Sequence, residues 1–211
     1  MATGILVIGE SGSGKSTSIR NLDPKETFIF NVQGKPLPFK GGRKAYSKEE
    51  KNLIRCDVAQ SVTGGITKIS NEQPHIKTVI VDDFQYLMVN DMMRNVSIKG
   101  FEKFSNLAQS IWAMLQVIPD LREDLKVVFL AHTETSPQGV EKVKTIGKML
   151  DSQVNIEGMF TIVLKALKAN GEHKFSTSNN GMDTVKSPMG MFEEELIDND
   201  LQLVINAIEE F

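Results

Sequence analysis

The chain alternates short, uninterrupted apolar runs with longer stretches whose apolar positions recur every three or four residues. The first run, residues 4–9 (GILVIG), is closed by glycine and predicts a buried strand. Glycines and small polar residues follow to Thr17, and a helix-compatible stretch then reaches Leu22. Asp23-Pro24 marks a turn ahead of a second strand, residues 27–31 (TFIFN). Residues 34–46 hold Gly34, Pro36, Pro38, Gly41 and Gly42 and predict a loop of unusual length, the kind more often functional than ornamental. Residues 47–69 read as a helix broken at Gly64-Gly65.

A third buried strand, residues 78–81 (TVIV), is closed by Asp82 and Asp83. Helices are predicted over 84–94 and 101–121, the second with Leu107, Ile111, Leu115 and Ile118 on one face. Residues 126–131 (KVVFLA) form a fourth strand, and a polar loop runs from His132 to Lys144. Strands over 160–167 and 174–177 are joined around Asn170-Gly171, a hairpin signal, and Asp198 is placed to cap a final helix. Alternating strands and helices through residue 131 predict an α/β fold with a mainly parallel sheet flanked by helices, then a C-terminal β-hairpin and a last helix. No repeat, low-complexity tract or linker interrupts the chain, so residues 1–211 are expected to form one domain.

Composition narrows the function class. A hydrophobic share of 40% and a charged share of 24% belong to an ordinary globular protein. No apolar run approaches a membrane span, and the N-terminus lacks the pattern of a secretory signal. Cys56 is the only cysteine. That excludes an internal disulfide and a cysteine-based zinc site, and it suits a reducing cytoplasm. The net charge of −3 excludes a generally basic nucleic-acid coat. Charge is nonetheless uneven: residues 35–51 carry six basic groups against two acidic ones, and residues 192–211 carry seven acidic groups and no basic one. These are two solvated segments or, more sharply, a basic face for phosphates or for an acidic neighbouring subunit.

The specific chemistry lies after the first strand. Gly9, Glu10, Ser11, Gly12, Ser13 and Gly14 lead into Lys15, Ser16 and Thr17, matching GxxxxGK[ST] at every fixed position. Glycines let the backbone turn tightly enough to aim several N–H groups at phosphates. Lys15 then reaches the β- and γ-phosphates, the Ser16 hydroxyl helps to hold Mg²⁺, and the following helix offers its N-terminus to the anion. Asp82, where the third strand emerges, supplies the second metal position, and Asp83 is placed to polarise an attacking water. His132 ends the fourth strand, on the side of an open α/β sheet where ligands bind, and can sense the γ-phosphate. His75 and His173 have no such position.

Beyond the phosphate motif, the segments NVQGKPLPFKGG, VIVDDFQYLM, VVFLAHTE and VKSPMG, with a C-terminal NDL helix, resemble the RecA-like phage ATPases that include the Sak-type single-strand annealing ATPases. The resemblance implies a RecA-like P-loop core with the fourth strand inserted between the first and the third. It also implies ATP and Mg²⁺, self-assembly into a homo-oligomer, and a role on single-stranded DNA in phage recombination, annealing or repair in the host cytoplasm; a single-strand binding protein is one candidate for a protein partner. His132 matches the polar sensor of the family, and the loop from Thr133 to Lys144 falls where related recombinases contact DNA, with Lys142 and Lys144 available to phosphates. The chain departs from the family twice. Gln33 stands where a catalytic glutamate is expected, so either Asp83 takes the role or hydrolysis is slow. Lys186 matches the lysine of a Lys-x-Arg pair that reaches a neighbour's active site, but Pro188 replaces the arginine. Two other readings stay open. One is a nucleotide-gated adaptor of the replication machinery with negligible turnover. The other is a nucleotide kinase, which the five arginines of the chain disfavour because such enzymes clamp phosphates with several.

Overall fold

A computed structural model describes residues 1–211, the side chain of Ser152 excepted. The apolar runs form the centre of one sheet. Strands β1 (Thr3–Gly9), β2 (Thr27–Asn31), β3 (Leu53–Arg55), β4 (Thr78–Asp82) and β5 (Lys126–Thr135) are joined by β6 (Glu141–Val143), β7 (Ile162–Ala169), β8 (Glu172–Ser176) and β9 (Leu196–Asp198). Their order is β3-β2-β4-β5-β1-β7-β8-β9, with β6 paired to β5 off this path. β3 to β7 along this order run parallel, and β8 and β9 complete the edge antiparallel. β5 thus separates β1 from β4, as the resemblance implies.

Continuous apolar runs occur because both faces of the sheet are covered. On one face Leu6 and Ile8 of β1, Val79 and Val81 of β4, and Phe129 of β5 pack under α2 (Ala59–Glu72), α3 (Gln85–Arg94) and α4 (Glu102–Gln116). On the other, Ile5 and Val7, Ile80, and Val128 and Leu130 pack under α5 (Leu201–Glu210) and the 3-10 helix Ser16–Asn21. Among the described residues no helix is long and apolar enough to cross a membrane.

Several elements differ from the sequence expectation, each for a local reason. Residues 47–69 do not form one broken helix: β3 pairs beside β2 at the sheet edge, and α2 then runs straight through Gly64-Gly65. A Cβ on Gly65 would lie 2.6 Å from the Phe30 ring, so this glycine is there to let the helix lie against the sheet, not to interrupt it. The loop of 34–46 closes with a short helix, α1 (Gly42–Ala45). The helix of 101–121 ends as α4 at Gln116, and Pro119 confines the rest to a 3-10 turn, Ile118–Asp120. The expected loop 132–144 is an extension of β5 that folds back as β6. Asn170 and Gly171 both take positive φ, 53° and 88°, as a two-residue hairpin requires. The last helix is capped by Asp200, which accepts from the Gln202 N–H; Asp198 lies in β9 and bonds Lys174 instead.

Candidate nucleotide site

The carboxyl ends of β1, β4 and β5 meet at one place. Gly9 ends β1 opposite His132 of β5, and Asp82 ends β4. Between Gly9 and Ser16 the chain turns with φ of 80° at Gly12 and 101° at Gly14, conformations open to glycine at little cost. The turn wraps the Lys15 ammonium, which donates to the carbonyls of Gly9 and Glu10 at 2.7 Å each. Burial lowers the Lys15 pKa to about 8, against the opposing pull of Asp83 and Asp82. From Ser16 the chain runs through six residues of 3-10 helix, not an α-helix. So short an element contributes little dipole, and the positive groups turned toward the cavity are the loop N–H groups and the Lys15 ammonium.

The two metal-position side chains touch: the Ser16 hydroxyl donates to Asp82 Oδ1 at 2.8 Å. Burial raises the Asp82 pKa to about 6, Asp83 adds to the rise, and Ser16 and Lys15 work against it. Asp83 takes the left-handed conformation, with φ of 62°. Its Oδ2 lies 3.0 Å from Lys35 Nζ and its Oδ1 3.5 Å from His132 Nε2. Burial pushes this carboxyl up, but His132 and Lys35 outweigh it and hold it below the ordinary value. His132 is fixed in turn: its backbone N–H donates to Gln85 Oε1 at 3.1 Å, and its ring meets Tyr86 edge-on at 6.3 Å.

Lys15, Ser16, Thr17, Gly12 and Gly14 face Asp82, Asp83, His132 and Lys35 across a cavity of about 230 Å³. A wider cleft of about 490 Å³ adjoins it, lined by Glu10, Ser11, Lys35, Tyr86, His132 and Lys144. The Ser16–Asp82 pair fits Mg²⁺: a hard oxygen donor set, with a buried carboxylate whose charge is unfavourable until a cation meets it. Among the described residues no group of three His, Cys, Asp or Glu side chains could hold a metal ion, so nucleotide phosphates and water would supply the remaining ligands.

Of the residues singled out in the sequence, Gly9 to Thr17, Asp82, Asp83 and His132 come together. Ser13 is buried beneath the loop, with Glu10 and Ser11 on its outer rim. Lys186 does not join them. Its backbone pairs with Val163 of β7, and its side chain is exposed away from both cavities. Gln33 is half-buried and lines neither cavity. Lys142 is held by Asp151 and Glu134, which leaves Lys144 as the more available cation of the β5–β6 hairpin. Two residues of the site escape sequence reasoning. Lys35 stands in the sequence only as one member of a basic run, and its place just past the end of β2 is the available signal. His173, exposed on β8, meets the loop with Nδ1 3.0 Å from the Ser13 carbonyl, and nothing in the sequence announces that contact.

A family model described as an AAA domain matches residues 1–189. The chain belongs to the AAA domain family. No curated protein sequence matches it. Membership sets this AAA-domain protein among the P-loop nucleotide-binding ATPases. The matched span takes in the phosphate loop, Asp82, Asp83, His132 and Lys186, and ends before β9 and α5.

Proposed function

We propose that this AAA-domain protein is a Mg²⁺-dependent ATPase that acts on single-stranded DNA as a homo-oligomer, in phage recombination, annealing or repair. The observation that carries the nucleotide part is the Ser16–Asp82 hydrogen bond of 2.8 Å set in one cavity with Lys15. Lys15 moves from its loop carbonyls to the β- and γ-phosphates. Ser16 and Asp82 hold Mg²⁺, which neutralises charge on the phosphates when it is bound. Asp83 orients and polarises the attacking water, and His132, in contact with Asp83, senses the γ-phosphate and passes its presence along β5 to the β5–β6 hairpin. The DNA role is supported by the resemblance of the NVQGKPLPFKGG and VIVDDFQYLM segments and by exposed Lys144 on that hairpin. A single-strand binding protein is the further partner, and the host cytoplasm the place of action.

Turnover measured with and without single-stranded DNA tests the whole reading. Hydrolysis is expected to be slow alone and stimulated by DNA. DNA affinity should rise with a non-hydrolysable ATP analogue and fall with salt, by a log–log slope of about −0.7 for each phosphate neutralised. Binding indifferent to nucleotide and salt, with no turnover, would establish the adaptor instead. That second reading is favoured by Gln33, which lies outside both cavities, and by the engagement of Asp83 with two cationic or proton-bearing partners.

Lys186, remote from its own chain's site, is proposed to act in a neighbour's. Lys186→Ala should leave ATP binding by isolated subunits intact and slow DNA-stimulated turnover, by less than the roughly 10³-fold of an arginine finger. Mixing with Lys15→Ala subunits, which retain Lys186, should restore part of the rate. Normal hydrolysis by Lys186→Ala under assembling conditions removes the trans role.

A further inference from the structure

Lys35 borders both the phosphate-loop cavity and the wider cleft, and its position is built rather than incidental. Asn31, buried at the end of β2, accepts from the Gly34 N–H through Oδ1 at 2.7 Å and donates from Nδ2 to the Lys35 carbonyl at 2.6 Å. Gly34 takes φ of 68°, and a Cβ there would lie 2.9 Å from Arg55 Cδ, so glycine lets the chain double back here without strain or displacement of the Arg55 side chain. The turn delivers Lys35 to the carboxyl end of β4, the strand next to β2. There Nζ reaches Asp83 Oδ2 at 3.0 Å and lies 5.3 Å from the centre of the Tyr86 ring. The strand order then sets one cation on each side of the cavity: Lys15 after β1, Lys35 after β2, with Asp82 ending β4 and Asp83 just after it between them.

The lysine side chain is 60% exposed, whereas Asp83 is nearly covered. A pair exposed on the lysine side is weak and readily exchanged. A phosphate with more charge than one carboxylate, arriving between the two lysines, is the stronger partner for the ammonium. We infer that Lys35 recognises the γ-phosphate of a bound nucleoside triphosphate, leaving Asp83 for it, and that the loop of residues 34–46 shifts with the phosphate count of the nucleotide. This rests on the nucleotide-site reading above. With ADP there is no γ-phosphate to take the ammonium, and Lys35 stays on Asp83. With ATP the ammonium moves to the γ-phosphate, and the Asp83 carboxylate is released to face water. The long loop thereby becomes the arm that reports triphosphate on the β2 side of the site, as the β5–β6 hairpin does on the other.

The test is calorimetric titration of the full chain, in excess Mg²⁺, with ADP and with a non-hydrolysable ATP analogue. Lys35→Ala should weaken the analogue by about tenfold, the size of one charge-assisted contact, and leave ADP within about twofold. Unimpaired ADP binding also shows that the variant is folded, and Lys35→Arg should keep most of the preference. The same loss should persist when Lys35→Ala is made in an Asp83→Asn background. If it vanishes there, Lys35 acts only by screening Asp83, and the inference is wrong. Hydrogen exchange in residues 34–46 should differ between analogue and ADP in the wild type, and not in Lys35→Ala. Equal losses for both nucleotides, or no loss for either, overturn the role of Lys35 while leaving the nucleotide site in place. A wild-type chain that binds neither nucleotide overturns both.

Discussion

Lys15→Ala is expected to abolish tight ATP binding while leaving the protein folded. Truncating one partner of a desolvated, charge-assisted contact costs about 2–5 kcal/mol, which is tens- to thousands-fold in affinity. The fold should not suffer, because the ammonium is a burden to the free protein. Its pKa is lowered to about 8, so the native state binds this proton less well than the unfolded chain does. For a base the sign follows directly: the penalty is fully present at pH 7, and stability recovers as pH rises from about 8 toward the ordinary lysine value. At 1.36 kcal/mol per unit, the burden is on the order of 3 kcal/mol, partly returned by the two carbonyls that accept from Nζ. Thermal melting without nucleotide should therefore be unchanged or higher in Lys15→Ala, and titration with ATP should show the loss. Unchanged ATP affinity would remove Lys15 from the site.

The readable parts of this protein are those whose geometry is encoded within a few residues. The phosphate loop is one: tight turn, lysine and hydroxyl are all fixed by positions 9–17. β1, β2, β4 and β5 are others, since strands covered on both faces must be apolar throughout. Edge strands escape that logic. β3 is Leu53-Ile54-Arg55, largely exposed and paired on one side only, so it leaves no apolar run to find. β9 is equally short. The polar extension of β5, His-Thr-Glu-Thr, is a strand because β6 folds against it, not because its own residues prefer the sheet. Distance along the chain hides the rest of the site. Asp83 is legible from its neighbour Asp82, but Lys35 lies 48 positions from Asp83, and only the Asn31–Gly34 turn brings it back. His173 is 160 positions from Ser13. Self-contained motifs announce themselves, whereas contacts made by the closing of the sheet do not.

Asp82→Asn is expected to separate stability from function in opposite directions. Burial raises this carboxyl to about 6, so the native state holds a proton that the unfolded chain, titrating near 3.8, has already lost. Between those values the folded form gives up stability as pH rises, and above about 6 the full cost is present. At 1.36 kcal/mol per unit the cost at pH 7 is on the order of 3 kcal/mol. Asparagine removes the charge and keeps an oxygen that can accept from the Ser16 hydroxyl, so the nucleotide-free variant should melt several degrees higher, with a flatter dependence between about pH 4 and 7. The same change takes away the anionic donor that makes the cavity fit for Mg²⁺. ATP binding in excess Mg²⁺ should weaken by roughly tenfold or more, whereas binding in a chelator should weaken little. Asp83→Asn supplies the contrast. Its carboxyl is held below the ordinary value by His132 and Lys35, so loss of that charge should not stabilise the fold, and it should slow turnover more than it weakens metal-dependent binding. If both substitutions raise the melting temperature alike and reduce metal-dependent affinity alike, the two adjacent carboxylates do not divide the work between cation and water.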